Sequence, residues 1–62
     1  MMKKTLKEYR QELGQSKLQF SKILGIPYTT YLRYEEDLQK APFAEVTKIC
    51  EILGIDIKQI EC

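Results

Sequence analysis

The chain has 62 residues, 44% of them hydrophobic and 31% charged, and its ten basic side chains nearly balance nine acidic ones. These proportions are typical of one small globular domain with a modest core and not of a disordered domain. No apolar stretch approaches the ~18 residues of a membrane span, and no apolar run follows the first charges, so we expect a cytoplasmic protein without a membrane partner.

Histidine is absent, and Cys50 and Cys62 are the two cysteines. The commonest general base and metal ligand is therefore missing, and two thiols alone do not make a zinc site. Cys50 lies in an apolar stretch, where a thiol usually packs as a small hydrophobic group. We therefore expect a protein that is not an enzyme and that uses no metal and no cofactor.

The first predicted helix covers about residues 5–13. Thr5 and Glu8 have the spacing of a capping box, in which each side chain accepts a hydrogen bond from the other residue's backbone amide. Gly14 ends the helix, because glycine readily adopts the left-handed conformation of a helix C-terminus. The residues on one face of this helix are Leu6, Tyr9, Arg10 and Leu13.

A second helix is predicted over about 16–24, with Ser16 and Gln19 as its capping box and Gly25 at its end. A third begins near Pro27 and runs to Tyr34 or Glu35. One of its sides carries Thr30, Tyr31 and Tyr34, and the other carries Tyr28, Thr29, Leu32 and Arg33. Residues 36–41 are predicted to be a connecting loop.

A fourth helix is predicted over about 43–53, with Gly54 as its stop. Asp56 and Gln59 then have capping-box spacing and predict a short fifth helix. The predicted inward side chains of the fourth helix are Val46, Ile49, Cys50 and Leu53.

Two short helices joined at Gly25-Ile26-Pro27 have the length of a helix-turn-helix. The small Ser21 lies where the two helices would cross closely. An ordinary helical hairpin has the same spacing, so spacing alone leaves both interpretations open. The charge distribution adds mild support, since residues 1–40 carry eight basic and five acidic side chains and residues 41–62 carry two and four. The first two-thirds of the chain therefore attracts anions better than the rest.

The combined pattern resembles the Cro and phage-repressor type helix-turn-helix family. The residues that carry the resemblance are Leu13-Gly14-Gln15-Ser16, Phe20-Ser21, Leu24-Gly25-Ile26, Thr30-Tyr31, Arg33-Tyr34-Glu35 and the run from Ile49 to Ile55. The resemblance implies an all-α, compact five-helix domain of the lambda-repressor-like type over residues 1–62, with the helix-turn-helix at about 16–35. It also implies a transcriptional regulator, of repressor type, whose partner is a double-stranded DNA operator and which commonly acts as a homodimer.

Carried over by position, the resemblance implies that Tyr28, Thr29 and Arg33 contact DNA bases. Such side chains suit the task, because arginine can bond guanine through two parallel hydrogen bonds and a methyl group can contact thymine. A second interpretation stays open, in which Arg33 pairs with Glu36 or Asp37 and the other two are ordinary surface residues.

The phosphate-contacting positions of the family fall on Lys17, Gln39 and Lys40. Lys17 and Lys40 are also compatible with ordinary solvated surface lysines. The family's ion pair between the first helix and the recognition helix falls on Arg10 and Glu35. We assign a dimer interface to Ile57 and Ile60, although Ile60 is expected to turn mostly inward. The alternative is that these isoleucines simply close the core.

Glu36 and Asp37 occupy the place where the family usually has a residue followed by glycine. Two acids beside a phosphate track would repel DNA. They keep open a rival function on the same fold, a protein-interaction or antitoxin-like module with weak or no DNA binding. A third possibility is an architectural DNA binder, which would bend DNA with little sequence preference.

Overall fold

Four α-helices make up most of residues 3–61, the part of the chain that this computed structural model describes. They are α1 (Leu6–Glu12), α2 (Lys17–Leu24), α3 (Tyr28–Glu36) and α4 (Phe43–Leu53). Two short 3₁₀ turns, Leu38–Lys40 and Ile57–Gln59, follow α3 and α4. The predicted all-α class is confirmed, and within the described residues the only β-type pairing is a single parallel bridge between Lys4 and Ile60.

The prediction of five helices is wrong. The fifth segment is only the one-turn 3₁₀ helix Ile57–Gln59, although Asp56 and Gln59 do form the predicted capping box. It stops there because Ile60 turns into extended backbone and pairs with Lys4. The predicted loop also differs, since Glu36 belongs to α3 and the loop contains its own 3₁₀ turn.

The helix starts follow the predicted capping chemistry. The Thr5 hydroxyl accepts from the Glu8 amide at 3.2 Å, and a Glu8 carboxylate oxygen accepts from the Thr5 amide at 3.0 Å. Ser16 and Gln19 form the same pair of bonds at the start of α2, at 3.1 and 2.9 Å. Because each bond satisfies an amide that has no partner within the helix, both starts are set by local sequence.

The core lies where the faces of the four helices meet the two 3₁₀ turns. Its buried apolar side chains are Leu6, Phe20, Leu24, Tyr31, Leu38, Ala41, Val46, Ile49, Cys50 and Ile60. Leu13, predicted to share one face of the first helix with the buried Leu6, is 54% exposed, since it lies past the end of α1 as its C-cap.

The two ends of the described chain are joined by backbone hydrogen bonds. The Lys4 amide donates to the Gln59 carbonyl at 3.1 Å, and the Glu61 amide donates to the Lys4 carbonyl at 2.8 Å. The Tyr9 hydroxyl also donates to the Gln59 carbonyl, at 2.8 Å. These bonds hold the segment after α4 against α1.

Candidate nucleic-acid interface

The turn between α2 and α3 sets the angle of the exposed third helix. Gly25 ends α2 with φ of +69°, in the left-handed region that glycine adopts at low cost. Ser21 is 1% exposed, and its hydroxyl donates to the Leu18 carbonyl at 2.7 Å, so its small side chain fits the crossing without an unpaired polar group.

Aromatic packing fixes α3 on its inner side. The rings of Phe20 and Tyr31 meet edge to face, with centroids 5.6 Å apart and an interplanar angle of 86°. This is a favoured arrangement for two aromatic rings. Tyr34 packs against the same core, so the inward side of α3 is occupied and its opposite side faces solvent.

The solvent side of α3 carries the three predicted base-contacting residues. Tyr28 is 42% exposed, and Thr29 and Arg33 are exposed as well. Within residues 3–61 Arg33 forms no ion pair, so it is not paired with Glu36 or Asp37. The structure therefore leaves all three side chains accessible on one helix face.

A buried network anchors α3 to α1. Arg10 Nε donates to Glu35 Oε2 at 3.0 Å, and the two side chains are 12% and 9% exposed. Arg10 Nη1 also donates to the Gln15 carbonyl at 3.0 Å, and the Tyr31 hydroxyl donates to Glu35 Oε2. The ion pair implied by the family resemblance is thus present, and it has a third member, Tyr31, that the sequence did not reveal.

The network shifts the pKa of two of its members. Burial opposes the charge of Arg10, but the hydrogen bond and ion pair with Glu35 outweigh it and raise the pKa of the guanidinium. Burial, and then the hydrogen bond to Glu35, raise the pKa of the Tyr31 hydroxyl well above its usual range. The Arg10 guanidinium and the Tyr31 hydroxyl are therefore both favoured in their protonated forms.

The three predicted phosphate contacts are exposed but lie on two elements. Lys17 is the first residue of α2, and its Nζ lies 3.9 Å from Glu35 Oε1. Gln39 and Lys40 lie on the 3₁₀ turn that follows α3. The carboxylate of Asp37 accepts from the backbone amide of Gln39 at 3.1 Å, so this acid caps its own turn.

The two predicted dimer residues differ in their exposure. Ile57 is half-buried beside the core, which leaves part of its side chain accessible. Ile60 is only 3% exposed, because its bridge to Lys4 places it inside the core. The assignment of Ile60 to a dimer interface is therefore wrong, since a buried side chain cannot contact a second copy.

Sequence reasoning missed the charged side chain of Lys7 beside this surface, and it assigned the acid Glu36 to a loop. Glu36 is exposed on α3, three residues after Arg33 and seven after Thr29, which is the spacing of one helix face. Lys7 of α1 borders the same cleft as Lys17 and Glu36. The helical spacing of Glu36 could have indicated its position, but the place of Lys7 depends on how α1 packs against α3.

A helix-turn-helix family model matches residues 6–60, nearly the whole chain. No curated protein and no solved structure matches the chain. The longest helix, α4, has 11 residues, so no helix in the described range can cross a bilayer.

Proposed function

The chain belongs to the helix-turn-helix family of Cro and phage-repressor type, and we propose that it binds specific DNA sequences as a homodimer and represses transcription. Family membership makes the chain a DNA-binding regulator with DNA as its partner. The proposal adds the sequence specificity, the dimer and the direction of regulation.

The exposed face of α3 carries the proposal of sequence-specific binding. A single α-helix fits the major groove of B-DNA, where each base pair presents a distinct set of donors, acceptors and methyl groups. Tyr28 and Thr29 lie in the first turn of α3, the part of a recognition helix that approaches the bases most closely. Arg33 follows one turn later and is held by no carboxylate within residues 3–61.

The chemistry of these side chains suggests what they read. Arg33 can donate two hydrogen bonds to O6 and N7 of guanine, an interaction that discriminates against other bases by about 1–3 kcal/mol. The Thr29 methyl and the Tyr28 ring can contact thymine methyl groups. Phosphate contacts from Lys17, Gln39 and Lys40 would fix the register of the helix.

A homodimer is supported by the partly exposed Ile57 and by the size of the subunit. Operator half-sites for such dimers lie about 34 Å apart on one face of the duplex. The longest dimension of the subunit is 28 Å, so two copies side by side can place their α3 helices at that separation. Association would also stabilise a chain too short to have a large core.

Repression is the regulatory outcome that needs the fewest further contacts. A dimer bound over a promoter excludes polymerase by occupying the DNA. Activation needs an additional surface that touches polymerase. We therefore expect the protein to lower transcription from a template that carries its operator, which a single-round transcription assay measures.

Selection from a random duplex library tests sequence specificity. The enriched sequences should form a palindrome with half-sites one helical turn apart, and Arg33→Ala should lose preference at one guanine position. If each subunit neutralises three or four phosphates, log K should fall with log salt with a slope of about −5 to −7 for the dimer. Lys48→Ala, on the exposed side of α4, is the control. Failure to enrich any sequence would contradict the proposal.

A second candidate, a protein-interaction module, is favoured by an acidic cleft beside the C-terminus of α3. Glu36, Asp37 and Glu61 border this cleft, which has a volume of about 230 Å³. Such a surface suits a basic segment of a partner protein. Two results together would favour this function over DNA binding. The wild-type protein would bind no DNA duplex, and a lysine-rich peptide would bind the wild-type protein and Arg33→Ala equally.

A further inference from the structure

A second cleft, between α1, the start of α2 and the later part of α3, combines basic residues from two helices. Its lining residues are Lys7, Lys17, Leu32, Glu35 and Glu36, and its volume is about 380 Å³. Lys7 and Lys17 lie on different helices that only the folded chain brings together.

The two carboxylates of this cleft have different surroundings. Glu35 is 9% exposed and already accepts hydrogen bonds from Arg10 and Tyr31, so its negative charge is compensated inside the protein. Glu36 is exposed and belongs to no ion pair among residues 3–61. Because the positive charge of Arg10 balances the negative charge of Glu35, the cleft has two positive lysines and one remaining negative charge, that of Glu36.

Both lysines can turn toward an external anion. Lys17 Nζ lies 3.9 Å from Glu35 Oε1, too far for a strong hydrogen bond, so a phosphate oxygen can take its place as the closer partner. Lys7 is exposed and forms no ion pair within the described residues. Lys7 gives up no ion pair to reach a phosphate, and Lys17 gives up only this 3.9 Å contact with Glu35.

The position of the cleft relative to α3 indicates which anion fits. Glu36 lies seven residues after Thr29, about 10 Å further along the helix axis. The major groove is about 12 Å wide, so with the first turn of α3 at the bases this later part lies beside the sugar-phosphate backbone.

We propose that this cleft binds a backbone phosphate of duplex DNA between Lys7 and Lys17, and that Glu36 weakens this contact by repulsion. The inference rests on the proposed DNA-binding mode of α3, but it concerns the phosphate backbone and does not require sequence specificity. In this proposal α1 contacts DNA through Lys7, and Glu36 lowers the affinity of that contact.

A salt titration of a random-sequence duplex, followed by fluorescence anisotropy, tests the cleft independently of any operator. Lys7→Gln should make the slope of log K against log salt shallower by about 0.9 per bound subunit. Raising the salt fourfold would then weaken this variant about 3.5-fold less than wild type. Lys17→Gln should behave alike, Lys7→Arg should keep the wild-type slope, and Glu36→Gln should bind more tightly, most clearly at low salt.

Lys48→Gln is the matched control, because it removes the same charge from an exposed position on α4. Circular dichroism establishes that each variant is folded. If Lys7→Gln changes the slope no more than Lys48→Gln does, or if Glu36→Gln weakens binding, the assignment of this cleft is wrong. A wild-type protein that binds random duplexes but selects no sequence would contradict the proposed specificity, while the Lys7 result would still decide the cleft.

Discussion

Replacing Arg10 by methionine tests the buried network that supports the proposed recognition helix. Arg10→Met removes the 3.0 Å contact to Glu35 and the 3.0 Å hydrogen bond to the Gln15 carbonyl. Glu35, at 9% exposure, then keeps its charge with the Tyr31 hydroxyl and the Lys17 ammonium group, 3.9 Å away, as its remaining partners. Removing one partner of a buried pair costs about 3–5 kcal/mol, and the partial exposure of this pair favours the lower end of that range.

A loss of about 3 kcal/mol is large for this chain. Native domains are stable by about 0.05–0.15 kcal/mol per residue, which for this length means about 3–9 kcal/mol. In a domain of this size, each kcal/mol shifts Tm by about 4–8 °C, so we expect the thermal midpoint of Arg10→Met to fall by about 12 °C or more. Thermal and urea unfolding followed by circular dichroism measure both quantities.

Two further variants separate burial from charge. Lys4→Met breaks the 2.7 Å ion pair between Lys4 and Glu12, whose side chains are 36% and 51% exposed, respectively. Because this pair is exposed to solvent, the thermal midpoint should stay almost unchanged. Adding Glu35→Gln to Arg10→Met removes a buried charge that has lost its closest cation and should recover part of the lost stability. An Arg10→Met midpoint equal to that of Lys4→Met, or a double variant no more stable than the single one, would refute this reasoning.

Three other predictions follow from the described contacts. Gly25→Ala should lower the free energy of unfolding by about 1 kcal/mol in urea, because alanine is strained at a φ of +69°. No further cost from a clash is expected, since no atom lies within 4 Å of the added Cβ, and an unchanged urea midpoint would contradict the prediction. The raised pKa of Tyr31 means that its contribution to stability is complete below about pH 10 and is lost at higher pH, so urea unfolding should show stability declining above that pH and Tyr31→Phe should flatten the decline. Ile57→Ser should weaken self-association in sedimentation experiments while far-UV circular dichroism stays unchanged, and equal association by both proteins would exclude Ile57 from the dimer interface.

Short-range features of the fold were predictable from the sequence. The capping pair Thr5 and Glu8 and its counterpart Ser16 and Gln19 form as expected, because each joins atoms three residues apart and needs no tertiary contact. Gly25 ends its helix as expected for the same local reason. The accessible face of α3 also followed from helical spacing once the inward aromatic residues were recognised.

Features that join distant parts of the chain depended on the tertiary structure. The segment after Asp56 has a correct cap but remains a single 3₁₀ turn, because the bridge between Lys4 and Ile60 draws the next residue into extended backbone. The same bridge buries Ile60 and removes it from any dimer interface.

The amino-acid sequence alone determined where the helices start, which side of the third helix faces outward and which family the chain resembles. The tertiary structure decided that Tyr31 joins the pair formed by Arg10 and Glu35, and that Lys7 borders the same cleft as Lys17. The physical reason is the range of the interactions. Caps and helical faces depend on neighbours within about two turns, whereas contacts between helices depend on packing that no local pattern specifies.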